Sequence, residues 1–268
     1  MEQLIKTIIL GVVQGLTEWL PISSTGHLKL FENLLDLKVP ILFDVILHAG
    51  TLIVISVFFR REIYRILSSI AHLEFETEEG KIVPLIIVGI IPTTLIGFIF
   101  GWLIEDTFQK VLPIGVAFLF CGTILYSAKI GEEKKDNISF STAVLMGIAQ
   151  GIAIIPGISR SGTTIAVALL LGVKREKAFK FSFLLSIPAI LGALGYTAYT
   201  QLGQLALTDL RCGEILVGTI LSMIVGYIAL KLLRKTIARG KFHLFALYCW
   251  LLGTLLILLG FFQPSRFA

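Results

Sequence analysis

Gly11-Val12-Val13-Gln14-Gly15, followed by Ile22-Ser23-Ser24-Thr25-Gly26, returns later in the chain as Gly147-Ile148-Ala149-Gln150-Gly151 and Ile158-Ser159-Arg160-Ser161-Gly162. Both matches keep one offset of 136 residues, which separates a duplication from chance resemblance between apolar segments. The chain therefore reads as a single domain, 1–268, built from repeat 1 (1–135) and repeat 2 (136–268). Each repeat opens with an apolar helical stretch, 4–20 or 141–155, then breaks at Pro21 or Pro156-Gly157 before a second short stretch, 25–35 or 161–172. Proline lacks the backbone donor and clashes with the preceding turn, so a continuous helix stops there. Two short helices around a polar turn read as a re-entrant hairpin that dips in and returns.

Three longer apolar runs follow in each half, at 42–60, 83–104 and 111–129, then at 179–200, 213–233 and 243–262. About 20 helical residues cross the roughly 30 Å of bilayer hydrocarbon. The expected fold is an all-α polytopic membrane protein of six full spans and two re-entrant hairpins. Composition agrees, with 56% hydrophobic residues, 15% charged residues and a mean hydropathy of +0.89. Soluble domains carry about 25% charged residues, so a soluble enzyme, a disordered chain and a secreted disulfide scaffold are excluded. Cys121, Cys212 and Cys249 are widely spaced and form no CxxC pair, which suggests neither a zinc site nor a disulfide framework. No basic segment or small-residue cleavage site opens the chain, so no signal peptide is expected.

The net charge of +5 belongs to short loops between apolar runs, the membrane-protein pattern, and implies no nucleic-acid partner. With both hairpins re-entrant, 16 basic residues fall on one face and 6 on the other, Arg160 lying in the second turn. With both hairpins spanning, the division would be 12 to 10. The positive-inside rule favours the re-entrant arrangement and places both termini outside. Three spans per half then invert the second repeat relative to the first. The hairpins enter from opposite faces and their turns meet near mid-membrane.

Gln14 and Glu18 lie one turn apart on one helix face. Ser23, Ser24, Thr25, Gly26 and His27 form the following turn and helix start; Ser159, Arg160, Ser161, Gly162 and Thr163 form its counterpart. Hydroxyls and free N–H groups at a helix N-terminus attract anions, phosphate above all. Ser, Thr and Gly in apolar helices also serve close packing, and Gln14 and Gln150 could be interhelical glue. Glu18 and Arg160 stand apart, because ionisable groups at membrane depth are expensive and mark function or an ion pair. Asp44 and His48, four residues apart, read as interfacial residues or as a support around the site; Trp19, Trp102 and Trp250 read as interfacial anchors. The acidic run 74–79 reads as a solvated loop.

A carboxylate, a histidine, serine hydroxyls and an arginine around an anion-binding turn can carry phosphoryl transfer. Arginine grips phosphate oxygens, and a base activates serine. No P-loop or HExxH pattern is present. At these residues Gln14-Gly-Leu-Thr-Glu18-Trp-Leu-Pro21-Ile-Ser-Ser24-Thr-Gly-His27 and Pro156-Gly-Ile-Ser-Arg160-Ser-Gly-Thr closely resemble the undecaprenyl-pyrophosphate phosphatase (BacA/UppP) family over essentially the whole chain.

That resemblance implies a multi-pass enzyme of the bacterial cytoplasmic membrane that hydrolyses the C55 lipid pyrophosphate to the monophosphate and so recycles the carrier for peptidoglycan synthesis. It implies bacitracin resistance and a divalent cation (Mg²⁺ or Ca²⁺); the charge count puts the first hairpin's entry, and with it the active-site opening, on the outer face. A homodimer is allowed. Glu18, Ser24, His27 and Arg160 become the catalytic candidates, with Glu18 also the metal candidate. Gln14, Ser23, Thr25, Gly26, Ser159, Ser161, Gly162 and Thr163 become the substrate-binding ones. The family often has Glu where this chain has Gln14, which weighs against any scheme needing two carboxylates on that helix. Ser24 or His27 is the nucleophile. The competing class is a polyprenyl-phosphate flippase binding the same headgroup without cleaving it, since inverted repeats with broken helices also build transporters.

Overall fold

The computed structural model describes residues 2–35, 41–108, 110–200 and 211–262. Lys38 and Arg266 of the charge count, and the side chain of Trp102, lie outside the described residues. The first hairpin is α1 (Glu2–Trp19) and α2 (Ser24–Leu35); the second is α7 (Phe140–Ile152) and α8 (Arg160–Leu170). After the first come α3 (Ile41–Phe58), α4 (Arg60–Ala71), α5 (Ile82–Thr107) and α6 (Val111–Ser127). After the second come α9 (Arg175–Thr200), α10 (Cys212–Ala238) and α11 (Phe245–Phe262). The two hairpin turns fall at Pro21 and at Pro156-Gly157, while Pro92 and Pro188 lie inside continuous helices.

Among the described residues five helices are long and apolar enough to cross a membrane, and a sixth span results if α3 and α4 count as one bent element. The protein is thus a polytopic all-α membrane protein. The run expected at 42–60 departs from a simple span: after Phe58 the chain bends by 83° into α4. Ile66 and Ser69 bury one face of α4, while Arg61, Tyr64, Arg65 and Leu67 stay exposed. This is the two-faced pattern of a helix lying along a surface.

α5 shows why composition misleads about the core. Ile87, Ile91, Leu95, Phe98, Ile99 and Leu103 are all exposed, because in a bilayer apolar side chains satisfy the lipid as well as one another. Contact between helices relies instead on small residues. A Cβ at Gly11 would collide with the Gly218 carbonyl and one at Gly15 with that of Ser222, so α1 lies directly against α10. A Cβ at Gly147 would collide with the Gly89 carbonyl, so α7 lies equally close to α5. The most extensive packing is α6 on α11, α1 on α10 and α5 on α7. Exchanging the two halves maps α1–α10 onto α7–α5 and α6–α11 onto itself.

The charged loops gather at one end. Arg175 pairs with Glu133 at 2.7 Å, Lys177 with Glu78 at 3.5 Å, Lys180 with Glu79 at 3.7 Å and Arg234 with Glu176 at 3.7 Å. Such pairs, exposed or half-exposed, stabilise little individually. Together they tie the connections before α5, α7 and α9 to the end of α10.

Candidate active site

Helix α1 ends at Trp19, and the chain turns through Leu20-Pro21-Ile22 to Ser23, whose φ of 65° lies in the left-handed region. A β-carbon makes that conformation unfavourable, so something must hold it. The hydroxyl does: Ser23 Oγ accepts the N–H of Gly26 at 3.4 Å and that of Gly157, from the other hairpin, at 3.0 Å. Ser23 therefore clamps the two turns together. In the second turn Ser159 caps α8 by accepting the Gly162 N–H at 3.1 Å, which leaves Arg160 as the first helical residue.

Arg160 reaches across to the first hairpin and donates from Nη2 to Glu18 Oε1 at 2.8 Å. The other carboxylate oxygen, Oε2, accepts the Ser24 hydroxyl at 2.6 Å and Gln14 Nε2 at 3.2 Å. The Glu18 side chain is 7% exposed and that of Arg160 19%, so this is a pair largely withdrawn from solvent. The first residues of α2 and α8, Ser24 and Arg160, thus both reach the carboxylate with their side chains. His48 is also within electrostatic reach of Glu18; it pairs with Asp44 at 3.4 Å.

His27 sits one turn beyond Ser24 on α2. Its Nδ1 is 2.7 Å from the Ser23 carbonyl oxygen and its Nε2 is 2.6 Å from the Tyr248 hydroxyl, on α11. Its ring lies nearly parallel to that of Tyr248 (5.7 Å between centroids, 11° between planes) and meets Phe118 edge-on at 5.4 Å. Ser24 donates to Glu18, not to His27, so serine and histidine have separate partners.

Of the sequence candidates, Gln14, Glu18, Ser24 and Arg160 converge on one point, with His27 adjacent. Thr25 is exposed, and Gly26 is packed where a Cβ would strike Phe118. Ser159, Ser161 and Thr163 are each buried and satisfied internally: Ser161 Oγ donates to the Trp19 carbonyl at 3.3 Å and Thr163 Oγ1 to that of Ser159 at 2.7 Å. Gln150, the repeat mate of Gln14, instead donates to Thr93 at 3.3 Å, while Thr93 donates to the Gly147 carbonyl at 2.8 Å. It is glue between α7 and α5.

Trp19 corrects its expected role as an interfacial anchor. It is fully buried and lies 5.6 Å from the Phe183 ring, so it belongs to the core under the site. Tyr248 was not legible as a site residue, because nothing near it in sequence marks it as polar machinery. The same holds for Cys121, which accepts the Ser159 N–H at 3.4 Å, and for Cys249, which donates to the Pro21 carbonyl at 3.8 Å. These two thiols sit under the two hairpin turns.

Among the described residues no group of three His, Cys, Asp or Glu is placed to hold a metal ion. Gln14 Oε1, however, is buried with no hydrogen-bond partner, an uncommitted oxygen donor beside Glu18.

The family profile described as bacitracin resistance protein BacA matches residues 7–255, spanning both hairpins. The chain belongs to the BacA family. An undecaprenyl-diphosphatase of Halothermothrix orenii is 41% identical over 262 residues, covering 96% of this chain and 98% of the relative. One of Carboxydothermus hydrogenoformans is 42% identical over 261 residues, covering 95% and 96%. The undecaprenyl-diphosphatase 3 of Bacillus cereus is 40% identical over 261 residues, covering 96% and 97%. The BacA match thus embraces every residue of the Glu18 cluster, and Tyr248 as well.

Proposed function

We propose that this chain hydrolyses undecaprenyl pyrophosphate to undecaprenyl phosphate and inorganic phosphate, recycling the carrier lipid of cell-wall synthesis and thereby giving bacitracin resistance. The observation that carries this reading is the buried cluster in which Glu18 holds both a hydroxyl nucleophile and a phosphate-binding guanidinium. A site that only gripped a headgroup for transport would need Arg160 and the helix ends, but no carboxylate 2.6 Å from a serine hydroxyl.

In this mechanism the pyrophosphate takes over Arg160 from Glu18, and the guanidinium neutralises charge developing on the phosphate oxygens. Ser24 Oγ bonds to the terminal phosphorus, its proton passes to Glu18 Oε2, and the bond from phosphorus to the bridging oxygen breaks. Undecaprenyl phosphate leaves. Water then attacks the phosphoserine, losing its proton to His27, while Ser24 regains a proton from Glu18 and phosphate departs. His27 as the nucleophile is the alternative within this chemistry; the hydrogen bond from Ser24 to Glu18 favours the serine.

Glu18 and the unpartnered Gln14 oxygen fit a Mg²⁺ or Ca²⁺ ion that arrives with the pyrophosphate, since magnesium sites commonly use one or two carboxylates plus substrate phosphates. Such an ion would supply further charge neutralisation. We place the chain in the bacterial cytoplasmic membrane, with both termini and the site opening outward, on the loop-charge asymmetry. The exchange of helix pairs between halves supports the inverted repeat. Nothing in the site requires a second copy, although a homodimer is compatible with it.

The test is phosphate release from undecaprenyl pyrophosphate by detergent-purified protein, with Glu18→Gln beside the wild type. One phosphate per lipid, lost in the variant, is expected. No release by folded protein that binds the lipid would overturn the reading and leave the flippase.

A further inference from the structure

Tyr248 and His27 are 221 residues apart and belong to different halves, yet their polar atoms make one of the shortest side-chain contacts in the molecule, 2.6 Å. The chemistry of the partners fixes the ring. The Ser23 carbonyl, 2.7 Å from Nδ1, can only accept, so Nδ1 carries the proton and the neutral imidazole keeps its lone pair on Nε2. Tyr248 is then the donor and Nε2 the acceptor. The two hydrogen bonds and the edge contact with Phe118 hold the ring in this orientation.

We propose that Tyr248 is a positioning residue for the reaction. It holds His27 in the Nδ1-protonated tautomer, with Nε2 basic, and yields that nitrogen to the attacking water once the headgroup is bound. Ser24 and His27 are one turn apart on α2, which puts a phosphoryl group on Ser24 within a helical turn of the ring that Tyr248 guards. The first hairpin supplies acid, nucleophile and base, while repeat 2 supplies the two groups that orient them: Arg160 for Glu18 and Tyr248 for His27. The catalytic consequence rests on the diphosphatase reading; the tautomer and its hydrogen bond do not.

Phenylalanine at 248 keeps the aromatic ring and removes only the hydroxyl, so the decisive variant is Tyr248→Phe. Histidine-selective ¹⁵N labelling in nanodiscs gives signals from four residues, 27, 48, 72 and 243, and His27→Gln assigns the first. The expected result is a downfield move of the His27 Nε2 signal alone in Tyr248→Phe, as for an imine nitrogen losing a hydrogen bond. Alongside it, kcat falls by about 10- to 100-fold with KM changed less than about twofold, part of the roughly 10²–10⁴-fold that a positioned general base contributes. An unmoved His27 signal, an unchanged kcat, or a change confined to KM would each overturn the proposal. If the wild type releases no phosphate, the functional reading fails, and the ¹⁵N signals still decide whether Tyr248 sets the state of His27.

Discussion

Replacing Arg160 by methionine tests the buried pair directly. The substitution keeps much of the side chain's apolar bulk and removes the 2.8 Å contact with Glu18 Oε1, leaving a carboxylate that is 7% exposed. Only the neutral donors Ser24 and Gln14 remain to it, both on Oε2. Breaking a buried ion pair by removing one partner costs about 3–5 kcal/mol, chiefly because the surviving charge is stranded. At roughly 2–4 °C per kcal/mol for chains near this size, the unfolding midpoint should fall by about 6–20 °C. Adding Glu18→Gln removes the stranded charge, so the double variant should recover most of the loss. A thiol-reactive dye reads the transition, since Cys121 and Cys249 are buried; exposed Cys212 is first changed to Ser. A double variant no more stable than Arg160→Met would refute the reasoning, and so would a single variant that melts like the wild type.

Ser23→Ala should be less stable than Ser23→Gly by about 1 kcal/mol: both lose the clamp on Gly157, but only glycine relieves the φ of 65°. Equal midpoints for the two variants would show that the turn is unstrained. Gly147→Ala drives a methyl into the Gly89 carbonyl and should cost about 1–3 kcal/mol or more, whereas Gly195→Ala, with nothing within 4 Å, should be neutral in the same melting assay. Chelation should abolish phosphate release while leaving the midpoint of substrate-free protein unchanged, because among the described residues no three-ligand cluster exists for a resident ion. A chelator that lowers that midpoint would show a structural ion instead.

Much of this site is readable in the sequence because membranes make polarity expensive. Glu18 and Arg160 are conspicuous in apolar surroundings, and Pro21 after the one and Pro156 before the other mark where helices end and polar turns begin. The duplication then says that the two turns are counterparts, with Ser24 and Arg160 at equivalent places. Other features escape such reading. Tyr248 opens an apolar helix with no pattern around it, and its role exists only through contact with α2. The bend after Phe58 depends on a switch from uniform apolarity to a two-faced helix, which the Arg60-Arg61 pair conceals as an ordinary span end. Trp19 has the composition of an interfacial anchor, and only the packing of α1 on α10 and against Phe183 makes it core. Gln14 and Gln150 are identical in type and repeat position, yet one faces a carboxylate and the other a threonine on α5. Neighbouring helices decide between those roles, and local sequence does not carry them.

The central claim is that both hairpins form one hydrolytic site. Its most direct test measures lipid-pyrophosphate binding and phosphate release together, for wild type, Ser24→Ala and Arg160→Ala. The account predicts that Ser24→Ala binds the lipid but releases no phosphate, and that Arg160→Ala loses both. Release that survives Ser24→Ala would move the nucleophile elsewhere, and release that survives Arg160→Ala would contradict the shared site.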